Sequence, residues 1–161
     1  MKLALLMVTR GNPKRAAAVI ECAKALSSGR HEIEVIVGCD NDDPKTLSFF
    51  HQYKDTRLSI ANRPTGVGAV WNRLASEART DCYGRPIAAP DYYCPFPDDV
   101  FISFPEWDDL IVASGYPVLA WNDVANPMQC TLPIVGREWL DMTGQLYDPR
   151  FPFWFYDTCV D

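Results

Sequence analysis

Six apolar residues in a row, Leu3 to Val8, stop at Thr9-Arg10-Gly11-Asn12-Pro13. A run apolar on both faces and closed by turn formers predicts a buried strand of a parallel sheet. The pattern then changes period. Ala16, Val19, Ile20, Ala23 and Leu26 recur at helical spacing, while Lys14, Arg15, Glu21 and Lys24 face away. Asn12 suits the cap of that helix, Pro13 its first position and Gly29 its stop. Ile33 to Val37 reads as a second strand, followed by the acidic turn Gly38 to Pro44 and a short helix from Lys45 to about Tyr53. A strand follows at Arg57 to Ile60. Thr65-Gly66-Val67-Gly68 then opens a helix striped by Val67, Val70, Trp71, Leu74, Ala75 and Ala78, with Asn72 and Arg73 beside the stripe.

Tyr92 to Phe96 reads as the next strand. Pro95 and Pro97 predict an irregular end to it, because proline cannot donate to a ladder. A helix over 106–114, strands over 117–121 and 131–135, a short helix over 137–142 and the aromatic run Phe151 to Tyr156 complete the chain. Strand and helix alternate through the first half, which predicts an α/β fold with a mostly parallel central sheet flanked by helices. The 161 residues fit one domain. Ligands of such sheets bind at the carboxyl ends of strands. Three polar clusters fall there: Thr9-Arg10, Asp40 to Asp43, and Asp98-Asp99.

Charge narrows the partners. The net charge is −6, with Lys and Arg scattered and no basic stripe, so nucleic acid is not expected as a partner. An acidic chain that takes a phosphorylated ligand needs a metal or a local basic cluster. Six cysteines form no Cys-x-x-Cys pair, and the two histidines, His31 and His51, lack a ligand-like spacing, which argues against zinc and for free thiols. No apolar stretch is long enough to span a bilayer or serve as a signal segment, so a cytoplasmic protein with no transmembrane segment is expected.

A bare Asp-Asp pair is most often a solvated turn. At a strand end beside Thr9, Arg10 and Asp40 it gains a second meaning. Thr9 offers a hydroxyl, Arg10 a cationic fork, and Asp40 an acceptor for a base or ribose. The loop after the first strand holds one glycine, Gly11, and matches neither a dinucleotide fingerprint nor a P-loop. A divalent metal on Asp98 and Asp99, Mn2+ or Mg2+, is then the natural partner of a diphosphate. Asp42, Asp43, Asp108 and Asp109 read as solvated or capping acids, and Trp71 as core.

The order of these pieces resembles the nucleotide-sugar glycosyltransferases of the GT-A fold, in particular small family-two-like members. Leu5 to Pro13 is similar to the first strand with its "P-T-R-N-R-P"-type loop. Val35 to Asp40 resembles the second strand with its base-binding Asp. Gly68 to Arg73 resembles the Asn-bearing helix, and Phe96-Pro97-Asp98-Asp99-Val100, with Trp107-Asp108 after it, the Asp-x-Asp segment. Val135 to Leu140 with Gly144 is similar to the acceptor-side segment.

The resemblance implies one GT-A-like (Rossmann-like) domain over 1–161, with a nucleotide-binding half over about 1–100 and an acceptor-side half over about 101–161. It implies nucleotide contacts from Thr9, Arg10, Asp40, Asn72, Arg73 and Asp98, and a metal on Asp99 with Asp98. Asp157 falls where such enzymes carry the catalytic base of an inverting transfer. Trp121, Asp123 and Trp154 would line the acceptor side. The implied donor is a nucleotide-diphosphate sugar, a UDP-sugar by default, and the acceptor a glycan or small molecule.

Two departures stand out. Pro97 occupies the first Asp of the Asp-x-Asp pattern, and the sequence ends at Asp161, soon after the expected base, as a chain shortened at its C-terminus would. They support one alternative, a catalytically reduced nucleotide- or glycan-binding domain. A sugar-phosphate nucleotidyltransferase on a related α/β sheet is a second, but Gly11 with Arg10, Lys14 and Arg15 is a poor match to the glycine-rich, basic loop it would carry.

Overall fold

A computed structural model describes residues 1–62, 66–122 and 130–148. Strands β1 (Lys2–Val8), β2 (Glu32–Asp40), β3 (Arg57–Ala61) and β4 (Tyr92–Pro97) alternate with helices α1 (Pro13–Ala25), α2 (Pro44–Gln52) and α3 (Val67–Glu77). Helix α4 (Trp107–Ser114), strands β5 (Val118–Asn122) and β6 (Cys130–Gly136), and helix α5 (Arg137–Thr143) follow. The six strands form one sheet in the order β3-β2-β1-β4-β6-β5. The first four run parallel, whereas β6 is antiparallel to both β4 and β5. No described helix is long and apolar enough to cross a membrane.

The unbroken apolar runs have the expected cause: both faces of the sheet are covered. Leu3, Leu5 and Met7 pack with residues of α1, α2 and α4 on one face. Ala4 and Leu6 pack with Val70, Trp71 and Leu74 of α3 and Leu140 of α5 on the other. The Trp71 indole is core and donates to the Leu6 carbonyl at 3.1 Å, which ties α3 to β1. Gly38 lets α3 come close. A Cβ there would lie 2.7 Å from Val70 Cγ1 and 3.2 Å from both Leu74 methyls.

Two local expectations needed revision. β2 continues past Val37 to Asp40, because β3 pairs with it through Asp40↔Ala61 and carries the strand into the acidic turn. β4 keeps its register with β1 through Pro95 and Pro97, so its end is regular. The two prolines lie two residues apart and face one side of the strand. Pairing of β4 with β6 covers only Tyr92 and Tyr93, so neither proline is needed as a donor in that ladder.

Candidate functional site

The carboxyl ends of β1, β2 and β4 lie side by side, and their polar residues meet. Thr9, 3% exposed, donates its hydroxyl to Asp98 Oδ2 at 2.7 Å, joining the ends of β1 and β4. Arg15, in the first turn of α1, donates Nη2 to the other oxygen of Asp98 at 2.9 Å. Arg10 reaches across to the end of β2. Its Nη1 is 2.5 Å from Asp40 Oδ2, and the fork binds both oxygens of Asp42, at 2.8 and 2.9 Å. That pairing raises the Arg10 pKa and holds Asp42 below the usual carboxylate range.

Asp43 fixes the loop beneath Arg10. It caps α2 by accepting from Thr46 N and Oγ1, and it accepts from Gly11 N at 2.6 Å. Burial pushes its pKa up, but the bonds from Thr46 and Gly11 outweigh burial and hold it down. Lys45 closes the same loop, donating to the Gly11 carbonyl at 2.8 Å. A cavity of about 130 Å³ opens here, lined by Val8, Thr9, Arg10, Gly38, Cys39, Asp40, Val67 and Val70. One wall is apolar, and the mouth carries a cation beside a carboxylate. Burial, with Asp43 and Asp40 nearby, pushes the Cys39 thiol up to about 11, against the opposing field of Arg73. Arg73 therefore stands near the end of β2, and its Nη2 is buried without a hydrogen-bond partner among the described residues.

No protein-family model and no curated protein matches the sequence. Solved structures do match its fold. S. aureus TarS 1–349 in complex with UDP superposes with a TM-score of 0.64 at 13% identity, covering 94% of this chain and 51% of that one. The same protein in complex with UDP-GlcNAc gives 0.52 at 17% identity, over 74% and 34%. The mannosyltransferase PcManGT from Pyrobaculum calidifontis, in complex with GDP-Man and Mn2+, gives 0.57 at 14% identity, over 89% and 46%.

The chain has a GT-A-like glycosyltransferase fold. It spans about half the length of the TarS and PcManGT chains it matches. In this GT-A-like sheet the expected residues separate into groups. Thr9, Arg10, Asp40 and Asp98 share the corner described above, and Arg73 stands close to it. Asp99 is exposed at the corner, and among the described residues nothing bonds to its carboxylate. Asn72 is spent elsewhere. Its Oδ1 accepts from Leu146 N and Tyr147 N, and its Nδ2 donates to the Tyr147 carbonyl, so both ends of the amide hold the turn after α5. Trp121 lies in β5. Asp123, Trp154 and Asp157 lie outside the described residues, as does the aromatic run 151–156.

Sequence reasoning passed over Arg15 and Lys45, and read Asp42 as a solvated or capping acid, whereas it pairs with Arg10. Arg15 reads as the outward face of α1, and only the position of its turn beside β4 gives it a partner. Asp43 was legible, since Asp-Pro-x-Thr reads as a helix cap. Three of the basic residues scattered along the chain, Arg10, Arg15 and Lys45, come together at this corner and bond to it.

The oxygen donors of the corner suit a hard divalent cation: an unpartnered carboxylate, Asp99, beside a second one, Asp98. A different group, His31 with Asp108 and Asp109, brings its ligand atoms within 4.8 Å of one another at the amino end of the sheet. Those carboxylates are already served. Asp108 accepts from Ser28 N and Ser28 Oγ, both at 2.7 Å. Asp109 is held by Ser28 Oγ, by His31 Nε2 at 3.0 Å and by Arg30. A cation there would have to displace Arg30 as well as the hydroxyl.

Proposed function

We propose that the chain binds a nucleoside-diphosphate sugar across the carboxyl ends of β1, β2 and β4 and transfers the sugar to an acceptor hydroxyl. The observation that carries this reading is the shared corner. An apolar-walled cavity with Arg10 and Asp40 at its mouth opens beside Thr9, Asp98 and Asp99, near a buried Arg73 nitrogen that has no partner among the described residues. The fold adds support, since structures that share it hold UDP, UDP-GlcNAc, or GDP-Man with Mn2+.

In this reading the cavity takes the base and ribose, with Asp40 accepting from the base and Thr9 and Asp98 facing the ribose. Arg73 offers charge to the phosphates. Asp99, with Asp98, would hold Mn2+ or Mg2+, which when bound neutralises charge on a departing diphosphate. Asp157 would take the proton of the acceptor hydroxyl as general base of an inverting transfer, with Trp121, Asp123 and Trp154 on the acceptor side.

A second reading keeps binding and drops turnover. Pro97 removes one acid from the corner, and Asp98 is already engaged by Thr9 and Arg15. Calorimetry with UDP and GDP, each with and without Mn2+, tests the nucleotide site. Binding of one of them in the micromolar range is expected, and binding of neither overturns both readings. Product analysis with the matching nucleotide-sugars and a panel of glycan acceptors then separates transfer from binding alone.

A further inference from the structure

The Arg15–Asp98 ion pair is a charged contact of the corner that no expectation contained. Asp98 is mostly buried, its side chain 13% exposed, whereas that of Arg15 is 49% exposed. Each oxygen of Asp98 already accepts from a protein donor, Oδ2 from Thr9 and Oδ1 from Arg15. Arg15 by contrast spends one of its five N–H donors there, and among the described residues no other bond engages the fork. An ion pair on so exposed a guanidinium is weak and exchanges readily for a better anion.

These facts conflict if Asp98 is asked to serve a divalent cation. Such a cation would sit within a few ångströms of the Arg15 guanidinium, and like charges at that range repel. A diphosphate resolves the conflict. It presents several anionic oxygens in a geometry that a guanidinium fork matches better than a single carboxylate oxygen does.

We propose that Arg15 is shared between Asp98 and the donor diphosphate. Before the donor arrives, Arg15 holds Asp98 and keeps it from a cation. When the diphosphate arrives, the fork moves onto it, and Asp98 becomes available beside Asp99. Arg15 thus couples diphosphate binding to metal binding, and by linkage each ligand favours the other. The inference rests on the nucleotide-site reading above and deepens it. Arg15 is a positioning residue for Asp98 and a binding residue for the diphosphate. No covalent step is involved.

Calorimetry on the full chain tests this with uridine, UDP and Mn2+, each titrated alone into wild type, Arg15→Gln, Arg15→Lys and Lys14→Gln. Arg15→Gln should weaken UDP by about tenfold and leave uridine unchanged, which confines the loss to the phosphates. It should also tighten Mn2+ measured without nucleotide by about threefold, because Asp98 is released. Arg15→Lys, which keeps the charge and loses the fork, should recover much of the UDP affinity. Lys14→Gln removes a neighbouring cation from the same turn and should move Mn2+ affinity much less. If Arg15→Gln weakens UDP and uridine alike, or leaves either UDP or Mn2+ affinity at the wild-type value, the proposal is overturned and the nucleotide site stands. If wild type binds neither UDP nor GDP, the nucleotide site falls and takes the proposal with it.

Discussion

Asp98-Asp99 and Asp108-Asp109 are the same dipeptide ten residues apart, and they sit at opposite ends of the sheet. At the amino end Asp108 is fully buried, and Ser28, His31 and Arg30 supply the donors that the pair needs. At the carboxyl end Asp98 is tied to Thr9 and Arg15, while Asp99 faces solvent with no described partner. The amino-end pair spends its charge on structure: it links the start of α4 to the turn after α1. The carboxyl-end pair keeps one charge in reserve. An acidic pair becomes a candidate site when its neighbours leave it unsatisfied, and the composition of the pair says nothing about that. The amino-end cavity beside Asp91 makes the same point. It has the same volume, about 130 Å³, but Asp91 is already paired with Lys2 N and Arg137.

The sharpest way to break this contrast is Asp108→Ala. It strands the Ser28 amide and leaves the Ser28 hydroxyl with Asp109 as its acceptor, and hydrogen bonds to a buried carboxylate are each worth about 1.5–3 kcal/mol, so a loss of about 2–3 kcal/mol in urea unfolding is expected. Nucleotide affinity of the folded fraction should not change; a fall would join the two ends functionally and dissolve the contrast.

Asp43→Ala comes next. It removes the cap of α2 and the anchor of Gly11, and caps of this kind are worth about 1–2 kcal/mol. The same bond carries a pH signature. The folded Asp43 pKa lies below its ordinary value of 3.8, so its contribution is whole above that value and is lost as pH falls through the lowered one. Melting temperature followed from about pH 5 to pH 2 should therefore drop more steeply in wild type than in Asp43→Ala.

The smallest effect on stability belongs to Asp99→Ala, within about 0.5 kcal/mol, because nothing is lost with the side chain. That variant should still bind the nucleotide and lose the increment that Mn2+ adds. Wild-type metal dependence in Asp99→Ala would move the metal assignment off Asp99.

Much of the frame was legible because hydrophobic pattern is local. The apolar run of β1 announced a sheet covered on both faces, and the α3 stripe named the residues that pack on it. The corner was partly legible, since Thr9, Asp40 and Asp98 follow from where strands end. What stayed hidden depends on contacts between distant segments. Arg15 and Asp98 are 83 residues apart, and Asn72 lies 74 and 75 residues from the two backbone amides it holds. A helical wheel sorts Arg15 outward and cannot say what stands outside it. The prolines of β4 misled for the same reason, because their cost depends on whether β6 still pairs beside them.

The seam between β4 and β6 is the shortest ladder of the described sheet. Four parallel strands share long ladders, and the antiparallel ribbon of β5 and β6 joins them through two residue pairs, Tyr92↔Gly136 and Tyr93↔Val135. Side chains carry what so short a ladder does not. Ile134 of β6 shares a core cluster with Leu3, Leu5 and Met7 of β1, Leu132 and Val135 share the other with Ala4 and Leu6, and Asn72 of α3 holds the turn after α5. A core substitution at Ile134 or Val135 is therefore felt on β1, the strand that ends in the corner.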